Sequence, residues 1–150
     1  MISYGETVIN GGTFDGAYGV VSKKTSSGET GSIVFPADST AVINASKIAF
    51  VAQGDAASAG KVSAAGGTFN APAVLGTIGT GVDKTSAANV TGGIYAADPS
   101  AYVPDNNASI SYTHENSTVY AVGKSSIDEV AQQAQAGDTI TVLSGDVALD

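Results

Sequence analysis

Asn10-Gly11-Gly12-Thr13-Phe14, Ala65-Gly66-Gly67-Thr68-Phe69 and Thr91-Gly92-Gly93-Ile94-Tyr95 repeat one phrase: a glycine pair, a β-branched residue and an aromatic. From second glycine to second glycine the gaps are 55 and 26 residues, so the first is about twice the second, as though one copy between them has decayed. A period of roughly 20 to 50 residues marks a solenoid, whose units are too small to bury an apolar face alone and stack on their neighbours. The glycine pair turns the backbone sharply through positive φ, and the next two residues re-enter extended geometry. Each corner thereby delivers one aromatic, and Phe14, Phe69 and Tyr95 are expected to stack in a shared interior with rungs about 4.8 Å apart. The fold expected is all-β, a right-handed parallel β-helix with a short C-terminal helix and a hairpin. The alternative is a β-sandwich, in which strands pair antiparallel throughout and the glycine period has no structural meaning.

Composition agrees with a thin, evenly packed interior. The chain has 150 residues and is 43% hydrophobic, yet it lacks Trp, is 7% aromatic and holds 19 glycines. Charged residues are 13%, about half the usual fraction, so Ser, Thr, Asn and Gln carry the surface, as is common on extracellular β-rich proteins. Six lysines, no arginine and fourteen acids give a net charge of −8, which disfavours nucleic acid and anionic membrane surfaces as partners. Cysteine is absent, which removes disulfides and thiolate metal sites. No apolar run approaches the roughly 20 residues of a membrane span, so direct membrane insertion is not expected. The first residues, Met1-Ile2-Ser3-Tyr4-Gly5-Glu6, lack the basic start and apolar stretch of a signal peptide. An exported protein would carry its leader and anchor elsewhere, with this chain an excised piece.

Along the chain, residues 7–21 read as strand, corner and strand, with Asp15-Gly16 as a further turn signal, and residues 22–32 read as a polar loop. Ser32-Ile33-Val34-Phe35 is stopped by Pro36, and Thr40 to Ala45 and Lys47 to Ala52 form two pieces of the decayed rung, with Ala45-Ser46 standing in for the glycines. The register across residues 22–61 stays open. Residues 53–61 make a small-residue loop before the second corner. Asp98-Pro99-Ser100-Ala101-Tyr102-Val103 reads as a helical turn with Asp98 as N-cap, placed to close the stack. Residues 108–113 and 117–122 alternate as a hairpin around His114-Glu115-Asn116. Ser126-Ile127-Asp128-Glu129 has capping-box form for a helix ended by Gly137, and Thr139-Ile140-Thr141-Val142-Leu143 is a last strand. Two regions follow: solenoid rungs with a capping turn over 1–105, and over 106–150 the hairpin, capping helix and the start of a further strand.

Gly92-Gly93-Ile94-Tyr95, then Asp98-Pro99-Ser100-Ala101-Tyr102-Val103-Pro104-Asp105 and Ser117-Thr118-Val119-Tyr120-Ala121-Val122, resemble the terminal module of large repetitive surface proteins of gut Gram-positive bacteria, where such a phrase closes a parallel β-helix. Residues 125–148 are similar to the helix-then-strand opening that caps pectate-lyase-like β-helices. The resemblance spans roughly residues 7–20 and 62–148 and implies a right-handed β-helix within a cell-surface or adhesin-like protein. The chain departs from that pattern at Ile94-Tyr95, at Pro104 and Asn106-Asn107, and in the rung of residues 33–52, which has no glycine pair.

The inventory of reactive groups is thin. Asp15, Asp38, Asp55 and Asp83 neighbour small residues in turn-like contexts, where turn formation accounts for them, and Asp128-Glu129 suit the first turn of a helix. His114, the single histidine, reads as a solvated turn residue; with no cysteine beside it, it cannot supply a zinc ligand set. Gly76-Thr77-Ile78-Gly79-Thr80-Gly81 lacks the Gly-Lys-Ser/Thr ending of a phosphate loop and reads as a solenoid turn. The sequons at Asn44, Asn89, Asn107 and Asn116 are expected by chance in such a composition. No catalytic, cofactor-binding or metal-binding residue and no cofactor is therefore assigned. The expectation is a non-enzymatic solenoid segment of a bacterial cell-surface protein, extracellular, acting as a stalk or as an adhesion surface for glycan or host and cell-surface protein. The alternatives are a fragment of a polysaccharide lyase or hydrolase, favoured by carboxylates aligned on one face, and a phage tailspike or fibre, favoured by a stable trimer.

Overall fold

A computed structural model describes residues 1–24 and 27–149. Its strands wind as a β-solenoid of about three turns. One sheet stacks β2 (Glu6–Val8), β4 (Ser32–Phe35), β6 (Lys61–Ala64) and β9 (Ala88–Val90), all parallel. The other stacks β1 (Ile2–Ser3), β3 (Thr13–Lys23), β5 (Val42–Gln53), β7 (Thr68–Asn70) and β10 (Gly93–Tyr95), again parallel, with β8 (Leu75–Ile78) paired to the second half of β5. Parallel pairing between rungs excludes the sandwich alternative.

The register explains the repeat. Phe14 lies opposite Ile43, Ile43 opposite Phe69, and Phe69 opposite Tyr95, so the three aromatics share one interior column. The decayed copy is therefore Thr40-Ala41-Val42-Ile43, not the Ala45-Ser46 pair, which lies inside the continuous strand β5. Five positions separate Val8 from Thr13, whereas eight separate their partners Val34 and Val42. The extra residues form a turn at Pro36, in which Ser39 N–H donates to the Pro36 carbonyl (2.9 Å), Ser39 Oγ donates to the Ile9 carbonyl (2.7 Å), and Ala41 N–H donates to Ser39 Oγ (3.3 Å). A longer corner needs no left-handed residue, and alanine suffices.

The intact corners need each glycine for a different reason. Gly67 and Gly93 both take φ +102°. Gly92 lies so close to the preceding rung that an added Cβ would sit 1.9 Å from the Ala65 carbonyl oxygen, and at Gly66 it would sit 2.6 Å from that of Pro36. One glycine permits the turn and the other permits the stacking.

The interior is aromatic at its centre. The Phe69 ring packs edge-on against Phe35 (5.1 Å) and Phe50 (4.8 Å) and stacks on Tyr95 (4.8 Å, planes 26° apart). Phe35, Phe50, Phe69 and Tyr95 are all fully buried, each contributing about 2–3 kcal/mol by removal from water. Tyr95 keeps its hydroxyl satisfied by donating to the Gly92 carbonyl (2.9 Å).

Beyond β10 the larger sheet changes direction. β12 (Ser117–Val122) pairs antiparallel with β10, β11 (Ser109–His114) with β12, and β13 (Thr139–Ser144) with β11. The hairpin expectation holds, with Glu115-Asn116 as the turn and Glu115 at φ 54°, the one positive-φ non-glycine among the described residues. Its packing forms a second apolar cluster of Ile110, Tyr112, Ala121, Ile127 and Val130.

Several local readings are corrected. Asp15-Gly16 is not a turn but part of β3, and β3 extends into the segment read as a polar loop, of which Thr25 and Ser26 lie outside the described residues. Asp83, read as a turn residue, is the N-cap of a short helix α1 (Lys84–Ala87). The turn over 98–103 is a 3-10 turn at Ser100–Tyr102, initiated by Asp98 Oδ1, which accepts from Ser100 N–H (2.9 Å). The final helix α2 (Lys124–Ala131) begins two residues before the supposed capping box and ends six before Gly137. Ser126 does not cap it; its Oγ accepts from Gly93 N–H (3.0 Å) and ties the helix to the third glycine corner. Of the stretch 76–81 read as a solenoid turn, Gly76 to Ile78 belong to strand β8, and at Gly79 an added Cβ would meet the Gly54 carbonyl oxygen of the rung before.

Candidate functional site

The glycine corners stack into a column, and α2 is docked against it, leaving a cleft of about 370 Å³ between them. Its walls carry Asp38, Ser39 and Thr40 from the lengthened second corner, Thr68 from the third rung, and Ser125, Ser126 and Glu129 from α2, with half-buried Ile94 as an apolar patch. Ser39 and Ser126 are fixed by the backbone bonds described above, and Thr40 Oγ1 reaches the Asn10 carbonyl (3.4 Å). The carboxylates of Asp38 and Glu129 are exposed on the cleft. A second cleft of about 280 Å³ shares Ala37, Ser125 and Ser126 with the first and continues past Lys124 and Thr91. The two make one elongated groove lined by hydroxyls, backbone and two acids. The missing glycines of the second rung built this feature: the residues that lengthen that corner are those that wall the cleft.

An amide ladder runs up the outside of the larger sheet. Asp15, Asn44 and Asn70 occupy successive rungs in register; Asn44 Nδ2 donates to Asp15 Oδ1 (2.8 Å) and Asn70 Nδ2 to Asn44 Oδ1 (2.9 Å). All three are exposed. The interval from Asn44 to Asn70 is 26 residues, equal to that between the last two glycine corners, whereas Asp15 lies 29 residues before Asn44 because the second corner is lengthened.

The third cluster joins residues far apart in sequence. His114 is not a free turn residue but the last residue of β11, and its Nδ1 lies 2.6 Å from Asp138 Oδ1. Asp138 Oδ2 accepts from the Tyr112 hydroxyl (2.6 Å) and from Gln135 N–H (2.7 Å). These donors hold the Asp138 carboxyl below its ordinary range, the Tyr112 bond contributing most, and raise Tyr112 in return. His114 Nε2 faces Glu115 at 4.0 Å. The arrangement clamps the 135–138 turn to the hairpin, and no sequence reading gave its acid a partner.

Asp55, Asp83 and Asp128 are held by local structure. Asp55 accepts from Lys24 Nζ (2.7 Å), Ser58 Oγ (2.9 Å) and two backbone amides, which hold it well below the usual carboxylate range. Asp83 is lowered by Thr85, whose hydroxyl and N–H both donate to it. Asp128 pairs with Lys124 one helical turn away (2.9 Å). Among the described residues, no three His, Asp or Glu side chains converge as a metal-binding group, and no helix is long and apolar enough to cross a membrane.

Fold and groove define a β-solenoid with a polar groove. No family model, curated protein or solved structure matches the chain.

Proposed function

We propose that this chain is a segment of a bacterial cell-surface protein whose solenoid spaces and displays a glycan-contacting groove. The observation that carries the reading is the groove beside the glycine column, where two carboxylates, several hydroxyls and an apolar patch face one elongated space. Vicinal sugar hydroxyls are matched by carboxylate acceptors and hydroxyl donors, and an aliphatic patch suits the C–H face of a pyranose. The net charge of −8 favours neutral and amino sugars over acidic polysaccharides. The low charge density and the surface-protein phrase around Gly92 to Asp105 support an extracellular setting.

The test is titration of the isotopically labelled chain with neutral and N-acetylated oligosaccharides, read by backbone amide shifts. Binding is expected at millimolar affinity, about −4 kcal/mol, with shifts centred on Thr40, Thr68 and Ser126 and lost in the Asp38→Asn/Glu129→Gln double variant. Absence of localised shifts up to solubility, across the series, overturns the reading. A second reading, hydrolysis of a polysaccharide, is favoured by the same pair of acids in one cleft. Shortening of the oligosaccharide during the titration would establish it.

A further inference from the structure

The sheet brings the start of β13 beside the end of β11, with Thr113 facing Thr139, so Asp138 reaches the His114 ring although 24 residues separate the two in sequence. Asp138 is itself fixed. Its side chain is 6% exposed, and Oδ2 accepts from the Tyr112 hydroxyl and from Gln135 N–H. Oδ1 is left to accept from His114 Nδ1–H at 2.6 Å, a bond that selects the tautomer whose Nε2 carries the free lone pair. The His114 side chain is 40% exposed, and Nε2 is the nitrogen available to a ligand.

Glu115 supplies a second group. It is the first residue of the two-residue hairpin turn and takes φ 54°, a conformation in which asparagine or glycine is the usual occupant. Asparagine would make the same turn at less strain. What glutamate adds is an exposed carboxylate, with Oε1 4.0 Å from His114 Nε2. That separation is too long for a hydrogen bond. It matches two bonds laid end to end, each of about 2.0 to 2.2 Å, that imidazole nitrogen and carboxylate oxygen make to a zinc-like ion. An ion therefore touches both groups as they stand, and rotation of the exposed Glu115 side chain closes the angle toward tetrahedral. Local charge acts in the same direction, since residues 105–150 carry seven acids against one lysine.

We propose that His114 Nε2 and the Glu115 carboxylate form an open site for one divalent transition ion of the zinc, nickel and copper group, with Asp138 as its positioning residue and water in the remaining positions. A histidine that ligates such an ion gives its other ring N–H to a carboxylate, and that half of the arrangement is already built here. One imidazole beside one carboxylate suits these ions, whereas calcium and magnesium take oxygen ligands. The site is not a closed set of four protein ligands, which a chain with one histidine and no cysteine cannot furnish. Half of such a set corresponds to a Kd of about 10 to 100 μM.

Titration of the isotopically labelled chain with zinc chloride at neutral pH, read by imidazole nitrogen and backbone amide signals, tests this. The His114 Nε2 signal and the amides of residues 112–117 are expected to shift together and saturate at one ion per chain, with no such change from calcium chloride. His114→Gln should abolish the response, and Glu115→Gln should weaken zinc about tenfold. Asp138→Asn should weaken it about 10- to 100-fold without touching the ion. In the metal-free Asp138→Asn variant the imidazole nitrogen signals should move toward the other tautomer, a change that a purely structural role for Asp138 does not produce. Should that substitution loosen the turn, Glu115→Gln, at an exposed position, still decides. Saturation by calcium over the same range would mean that the net charge attracts any divalent ion, and it overturns the site. So does zinc affinity unchanged in Glu115→Gln or in a folded Asp138→Asn variant, or the absence of shifts up to about 1 mM zinc.

Discussion

Phe69 and Tyr95 stack with ring centroids 4.8 Å apart, one rung directly above the other and in register. Phe69 also touches Phe35 and Phe50 and is the ring common to both walls of the solenoid. Phe69→Ala is expected to cost about 3–5 kcal/mol in chemical denaturation, since the rungs on either side hold the cavity open. Tyr95→Phe removes only the bond to the Gly92 carbonyl and should cost about 1 kcal/mol. Equal losses for the two would mean that the column is not the centre of the core.

Gly92→Ala places its Cβ against the Ala65 carbonyl and is expected to destabilise by about 2–4 kcal/mol or to spread the last two rungs. Gly5→Ala meets nothing within 4 Å and should change the thermal midpoint little. The pair separates steric stacking from the general effect of removing a glycine.

The Asp15–Asn44–Asn70 ladder is exposed, so its bonds are worth tenths of a kcal/mol to about 1 kcal/mol each. Asn44→Ala should fall in that range. Asn44→Asp should cost more at neutral pH, because a second carboxylate then faces Asp15. Urea denaturation of both variants at neutral pH reads this directly.

Acid should loosen the hairpin end before the solenoid. The Asp138 carboxyl is held below the 3.8 of an unperturbed Asp, so its contribution is complete above that value and is lost as pH falls through the lower, folded one. Hydrogen exchange of residues 109–122 and 135–144 is expected to quicken through that window, and Asp138→Asn should flatten the dependence. Tyr112 is raised above 10.0, so it stabilises below that value and ceases to do so as pH rises through its folded value. An acid response unchanged in Asp138→Asn would place the sensitivity elsewhere.

The repeat phrase carried the solenoid and the aromatic column, because in a stacked fold each interior contact recurs at the rung interval and a spatial neighbour becomes a sequence period; the hairpin was legible separately, from its two alternating strands. Asn44 and Asn70 obey the same rule, although neither stood out among many asparagines. The rule fails where the chain departs from the period. The lengthened second corner shifts Ala41 by three residues and hides its place in the stack; the start of α2 was misread because Ser126 bonds to Gly93 across the fold in preference to its own helix. The meeting of His114, Tyr112 and Asp138 and the groove between α2 and the glycine column depend on the path taken after the last rung. That path is set by packing of the second apolar cluster, a sum of many long-range contacts that no local interval encodes.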